Sequence, residues 1–216
     1  MRDRDLNIVP GLATSWEQVN ATTWRFKLRR GVKFHDGTPF TADDVVFSYE
    51  RAQHPNSQRR QYALPVGKPR RIDDFTVEFV QDKPNPIMLE HVATIFIMNR
   101  AWAEKNKVER PLSFKDREET YAARNANGTG PFMLVSREPG VKSVLKKNPA
   151  WWGTVTGNID EIVYSPIGSD ATRIAALLSG QVDFILDPPP QDIARLKANK
   201  DIKVVEGQEN RVIFFG

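Results

Sequence analysis

Residues 26–46 read Phe26-Lys27-Leu28-Arg29-Arg30-Gly31-Val32-Lys33-Phe34-His35-Asp36-Gly37-Thr38-Pro39-Phe40-Thr41-Ala42-Asp43-Asp44-Val45-Val46, and three local rules divide this run. From Trp24 to Arg29 apolar and basic residues alternate, which is the period of a strand with one buried face. His35-Asp36-Gly37-Thr38-Pro39 carries turn chemistry. Thr41 then opens a helix, with Asp44 three residues on to answer exposed backbone donors and Val45, Tyr49 and Ala52 along one face. Strand, turn and capped helix in such quick succession mark a mixed α/β fold.

Working outward, Phe75, Val77 and Phe79 predict a second half-buried strand. Between it and the helix, residues 54–71 are rich in breakers and carry Arg59, Arg60, Lys68, Arg70 and Arg71 without one acid, the composition of an exposed excursion. Over 84–124 the pattern is weaker: Pro84 and Pro86 interrupt it, 95–98 is apolar, and 116–124 has helical spacing. Asn127-Gly128-Thr129-Gly130-Pro131 predicts a turn in which the glycines supply unusual backbone angles. Residues 132–138 and 141–147, joined at Pro139-Gly140, form an expected hairpin. Beyond Trp151-Trp152, expected strands at 159–166, 182–186 and 202–205 alternate with helices at 169–179 and 190–198, and 211–215 reads as one further strand. Gly180 suits a helix C-terminus and Pro190 a first helical turn. Such alternation favours parallel strands joined by crossover helices.

Composition excludes several classes. With 216 residues, 40% apolar and 10% aromatic, the chain can bury a core and is not a disordered polymer. A net charge of +4, from 31 basic and 27 acidic residues, names no partner. The absence of cysteine removes disulfides, thiolate zinc sites and cysteine nucleophiles. His54 and His91 stand in no ligand spacing, so neither a metal nor a cofactor is expected. No apolar run approaches the ~20 residues of a membrane span, and Met1-Arg2-Asp3-Arg4-Asp5 is too charged for an export signal.

The chemistry-bearing patterns each have a plainer reading. His35-Asp36 suggests a catalytic pair, but adjacent residues rarely orient one another so, and a turn feeding a helix explains every position. The Asn127–Gly130 run lacks the third glycine and the strand-to-helix context of a dinucleotide site. Arg59 to Arg71, with Tyr62 among them, admits a nucleic-acid reading, for which a solvated loop is the simpler account. No Gly-x-Ser-x-Gly supports an α/β hydrolase. Trp151 and Trp152 are read as a lid on the core, with ligand stacking as the alternative.

Taken together, five motifs resemble the extracytoplasmic solute-binding proteins, family 5, that serve dipeptide, oligopeptide and nickel ABC importers. They are Pro10-Gly11-Leu12-Ala13-Thr14-Ser15-Trp16-Glu17, the 26–46 run, Asn127-Gly128-Thr129-Gly130-Pro131-Phe132, Lys147-Asn148-Pro149-Ala150-Trp151-Trp152-Gly153, and Leu177-Leu178-Ser179-Gly180-Gln181-Val182-Asp183. The resemblance implies a partial periplasmic binding protein-like type II fold, lacking the C-terminal lobe. Residues 1–125 would form the extra domain and 126–216 part of the first lobe, a hairpin followed by βαβαβ. It implies a binding module and not an enzyme, which captures peptides or similar small solutes outside the cytoplasm and delivers them to ABC permease subunits, without nucleic acid. Tyr62, Asn127, Gly128, Thr129 and Phe214 become the candidate ligand-binding residues. Self-association through exposed lobe surface is a further expectation.

Overall fold

A computed structural model describes residues 1–3, 5–113, 115–116 and 118–207. Alternation in β2 (Thr23–Leu28) sends Trp24, Phe26 and Leu28 to one face and Arg25 and Lys27 to the other. β4 (Thr76–Val80) does the same with Val77 and Phe79. With β1 (Ala13–Asn20) and β3 (Lys68–Asp73) these strands make an antiparallel sheet of order β1-β2-β4-β3.

Helix α1 (Ala42–Gln53) covers the apolar face with Val45, Tyr49 and Ala52. The Tyr49 ring meets Phe79 edge-on at 4.6 Å, and Phe26 meets Phe79 at 5.5 Å. Each such fully buried aromatic contributes roughly 2–3 kcal/mol through removal of its surface from water. The Tyr49 hydroxyl avoids the penalty of burial by donating to the Val92 carbonyl at 3.1 Å.

On the outer face the row Glu17, Arg25, Glu78, Arg70 runs directly across all four strands. Arg25 donates twice to Glu78 Oε1, at 2.9 and 2.7 Å, and Arg70 donates to Glu78 Oε2 at 2.7 Å. The Glu78 side chain is only 6% exposed, so these two cations stabilise a charge that could not otherwise be buried there.

Expected and observed elements agree at β2, α1, β4, the hairpin β5 (Phe132–Glu138) with β6 (Lys142–Lys147), and β7 (Glu161–Tyr164). They agree also at α5 (Asp170–Leu178), followed by Gly180 at φ +73°, and at α6 (Pro190–Ala198), which begins at its proline. The exposed excursion over 54–71 is corrected. It contains α2 (Arg60–Ala63), a 3-10 turn (Leu64–Val66) and edge strand β3. Ala63 and Val66 are fully buried, and the acids that balance Arg70 and Arg71 come from elsewhere: Glu78, Asp43 and Asp74. Pro69 is tolerated because β3 has one unpaired edge. Gly67, at φ +87°, turns the chain into β3 where a Cβ would collide with the Val80 carbonyl.

Two further expectations are corrected. Helices α3 (Met88–Val92) and α4 (Arg100–Lys105) occupy the region 84–124, but its end, 116–124, is not helical; only Tyr121–Ala123 makes a 3-10 turn. Glu118, which a helix would have exposed, instead accepts from Arg110 and from the Ser113 N–H. Residues 182–186 and 202–205 form no strand, and every strand pair among the described residues is antiparallel. A strand exists only through its ladder partner; Phe184, Leu186 and Val205 are 74%, 66% and 80% exposed instead. The strand expected at 211–215 lies outside the described residues. By contact density the chain divides into Met1–Tyr164, which holds both sheets, and Ser165–Gly216, which holds α5 and α6.

Asp44 is the most heavily used cap in the first unit. Its Oδ2 accepts from the Thr41 N–H and hydroxyl, and its Oδ1 from Asn99 Nδ2 and the Arg100 N–H. Burial raises its pKa and these hydrogen bonds oppose the rise. Asp44→Ala should destabilise the fold by about 2–4 kcal/mol, since it orphans donors at the starts of two helices; an unchanged urea midpoint would contradict this. Glu118 is held down at about 2, first by hydrogen bonds from Arg110 and then by the Ser113 N–H. A carboxylate more acidic when folded stabilises fully above its ordinary value of 4.5 and progressively less as pH falls toward about 2. Glu118→Gln should therefore flatten stability against pH across that window, and parallel wild-type and variant curves in urea titrations would refute the assignment.

Candidate functional site

Three of the sequence motifs meet in one place. The His35 N–H donates to the Gly128 carbonyl at 2.8 Å, and the Gly128 N–H donates back to His35 Nδ1 at 3.3 Å. Because Nδ1 accepts, the neutral ring carries its proton on Nε2, which lies 3.1 Å from the Gly130 carbonyl and donates to it. Asn127 Nδ2 donates to Asp36 Oδ2 at 2.8 Å, and Asn127 Oδ1 accepts from the Asp36 N–H at 3.2 Å. From the third motif, Asn148 Nδ2 donates to the Gly130 carbonyl and Trp152 Nε1 to the Thr129 carbonyl, both at 3.1 Å.

Both ring nitrogens of His35 are thus occupied by backbone, and Asp36 is turned toward Asn127 and Thr38. The pair is a brace with no free base. Of the unusual backbone angles expected at Gly128 and Gly130, a positive φ occurs at neither. The segment instead runs with its carbonyls aimed at donors from the other two motifs. Trp152 packs against the core, as a lid reading requires, with the Arg29 guanidinium 4.5 Å above its ring.

Beside this brace lies a cavity of about 430 Å³ within the first unit, in the size range of small-ligand sites. Its walls are Trp16, Phe26, Leu28, Val45, Tyr49 and Phe79, with Ile8, Val9 and Leu12 from the N-terminal segment and Val92, Ala93 and Phe96 from the region of α3. Gly128, Thr129 and Gly130 form part of its boundary, Met1 also lines it, and among the described residues no charged side chain does. The cavity can take an apolar group.

The candidate residues are distributed unevenly around it. Gly128 and Thr129 line the cavity. Asn127 is 7% exposed and its amide is spent on Asp36, so it acts by holding its neighbours. Tyr62, on α2, is half-buried and sets its ring edge-on to His91 at 6.3 Å. Phe214 lies outside the described residues. Sequence reasoning missed Arg59 and Phe96: the Arg59 guanidinium stands 6.0 Å over the ring of Phe96, which is 80% exposed. The one available signal was the apolar run 95–98.

The basic stretch is no continuous phosphate-binding face. Arg70 is committed to Glu78, and Arg71 to Asp43 and Asp74, which leaves a nucleic-acid reading without support. Among the described residues no three His, Asp or Glu side chains gather as a metal site, and no helix is long and apolar enough to cross a membrane.

Known proteins share both the sequence and this architecture. The E. coli K12 dipeptide-binding protein is 32% identical over 222 residues, covering 92% of this chain and 40% of that protein. The E. coli K12 periplasmic oligopeptide-binding protein OppA is 28% identical, covering 93% and 39%. The structure of the PBP AgaA from A. tumefaciens R10, in complex with agropinic acid, superposes with a TM-score of 0.79 at 30% identity, covering 92% of this chain and 39% of that one. DppA from Helicobacter pylori, in complex with the peptide STSA, gives a TM-score of 0.72 at 26% identity, covering 90% and 41%. The chain therefore spans about 40% of the length of the curated relatives it matches. Residues 7–216 match the family model for the middle region of bacterial extracellular solute-binding proteins, family 5, and the chain belongs to that family.

Proposed function

We propose that this chain supplies one wall of the ligand chamber of an extracytoplasmic solute-binding protein that delivers peptides or similar small solutes to an ABC permease. The observation that carries the reading is the brace of His35, Asp36, Asn127 and Asn148, which fixes Gly128–Gly130 at the boundary of an apolar cavity. The relatives named for dipeptide and oligopeptide binding make peptides the first choice of cargo.

In such a protein no bond is made or broken. Solute stabilises a closed arrangement over an open one, and the permease distinguishes the two, so function resides in differential binding. The lining suits this role, since it offers apolar surface and backbone, which tolerate varied side chains. Within this reading residues 1–125 correspond to the extra domain and 126–216 to part of the first lobe. Tyr62, Gly128 and Thr129 contact solute, Asn127 positions that segment, and Phe214 belongs to the same site.

Incubation with a mixed di- to pentapeptide pool, followed by native mass spectrometry, should show retained peptides and no turnover of an ester or amide panel. Retention of oligonucleotides instead, or steady hydrolysis, would overturn the proposal. Exposed Phe184, Leu186 and Val205 should also make the chain self-associate. Sedimentation velocity should show a weight-average mass that rises with concentration, and a constant monomer mass would contradict it.

A further inference from the structure

The outer face of the first sheet carries a second cross-strand row, Ser15, Lys27, Thr76, Asp73, beside the row centred on Glu78. The two rows are charged differently. Where Glu78 answers both Arg25 and Arg70, the residue opposite Lys27 is Thr76, whose Oγ1 accepts from Lys27 Nζ at 3.1 Å. Two more cations follow where β2 ends. The Arg30 guanidinium stands 4.2 Å over the Phe75 ring, while Arg29, over Trp152, donates from Nε to the Gly11 carbonyl at 3.0 Å. The Leu28 N–H donates to the Phe75 carbonyl at 2.8 Å and ties the end of β2 to the turn between β3 and β4. Lys27, Arg29, Arg30, Asp73, Phe75 and Thr76 thus border a single groove of about 490 Å³.

Three cations face one carboxylate there. Among the described residues none of the three forms an ion pair, and the Arg30 side chain has no hydrogen-bond acceptor. Asp73 Oδ1 accepts from the Phe75 N–H at 2.7 Å. That bond first, then one from the Thr76 hydroxyl and the nearby charges of Lys27 and Arg30, hold its carboxyl below the usual range. Asp73 is therefore ionised and cancels one positive charge, which leaves two. A guanidinium held on an aromatic face keeps the N–H donors of its edge available to an anion. A phosphate group carries about −1.5 to −2 charge at neutral pH and offers three acceptor oxygens, so it matches this excess where a carboxylate neutralises half of it. We propose that the groove binds a dianionic phosphate group, free or as a phosphomonoester, with Lys27 and Arg30 as its direct partners and Arg29 adding to the positive field. The site goes beyond the solute-binding reading and does not depend on it.

Amide NMR of the chain during titration with sodium phosphate, at neutral pH and low ionic strength, tests the proposal. Saturable shifts should concentrate at Leu28, Arg29, Arg30, Phe75 and Thr76, and sodium chloride of matched ionic strength should not reproduce them. Lys27 and Arg30 are exposed, so Lys27→Gln and Arg30→Gln should each weaken binding roughly threefold to fivefold, the scale of an exposed ion pair, with unchanged urea midpoints. Asp73→Asn keeps an acceptor for the Phe75 N–H and should tighten binding by a similar factor. Arg137→Gln removes an exposed cation on β5 outside the groove and should leave it unchanged. Shifts that do not saturate, an affinity indifferent to Arg30→Gln, or sedimentation with phosphatidylglycerol vesicles without any response to inorganic phosphate would each overturn the proposal, the last by assigning the face to a membrane surface.

Discussion

One imidazole ties together loops that lie more than ninety residues apart. His35 accepts at Nδ1 from Gly128 and donates at Nε2 to Gly130, with separations of 93 and 95 residues along the chain. A side chain that could only donate would strip the Gly128 N–H of this acceptor, and one that could only accept would leave the Gly130 carbonyl to Asn148 Nδ2 alone. Around this ring Asn127 ties the segment to Asp36, Asn148 adds a second donor to the Gly130 carbonyl, and the Trp152 indole donates to the Thr129 carbonyl. The cavity boundary is consequently a fixed backbone edge, although its residues have no regular secondary structure.

Much of this was legible from sequence where the cause is local. Thr41 with Asp44, the alternation through Trp24 and Phe26, the Pro139-Gly140 hairpin and the cap at Gly180 all depend on residues a few positions apart, and all form as expected. What stayed hidden depends on partners far away. β3 looked like a solvated basic loop because Arg71 finds Asp43 on a helix 28 residues back. The spacing at 116–124 suggested a helix because nothing local reveals that Glu118 will turn to Arg110. The cavity divides in the same way: Gly128 and Thr129, which line it, sit in a sequence motif, whereas the stacking of Arg59 over Phe96 depends on segments far apart in the chain.

The brace and the cavity wall are built from different side chains. The side chains of His35, Asp36, Asn127, Asn148 and Trp152 are consumed by one another or by backbone, so they fix where the Gly128–Gly130 backbone runs beside the cavity. Arg59, Tyr62, His91 and Phe96 lie outside the motifs that supply the brace, with Tyr62 against His91 and Arg59 over Phe96.

The row Glu17, Arg25, Glu78, Arg70 has a bearing on how the first sheet finds its alignment. Apolar side chains alone cannot distinguish the native pairing of β2 and β4 from one displaced by two residues, since both keep Phe26 and Phe79 inward. The charges can. Such a displacement would bring Lys27 or Thr23 opposite Glu78 and set Arg25 against Val80 or Thr76, replacing a forked contact by a single-pronged one or by none. Alternating sign across four strands thus works as a vernier, selecting one alignment from several that greasy surfaces would accept equally.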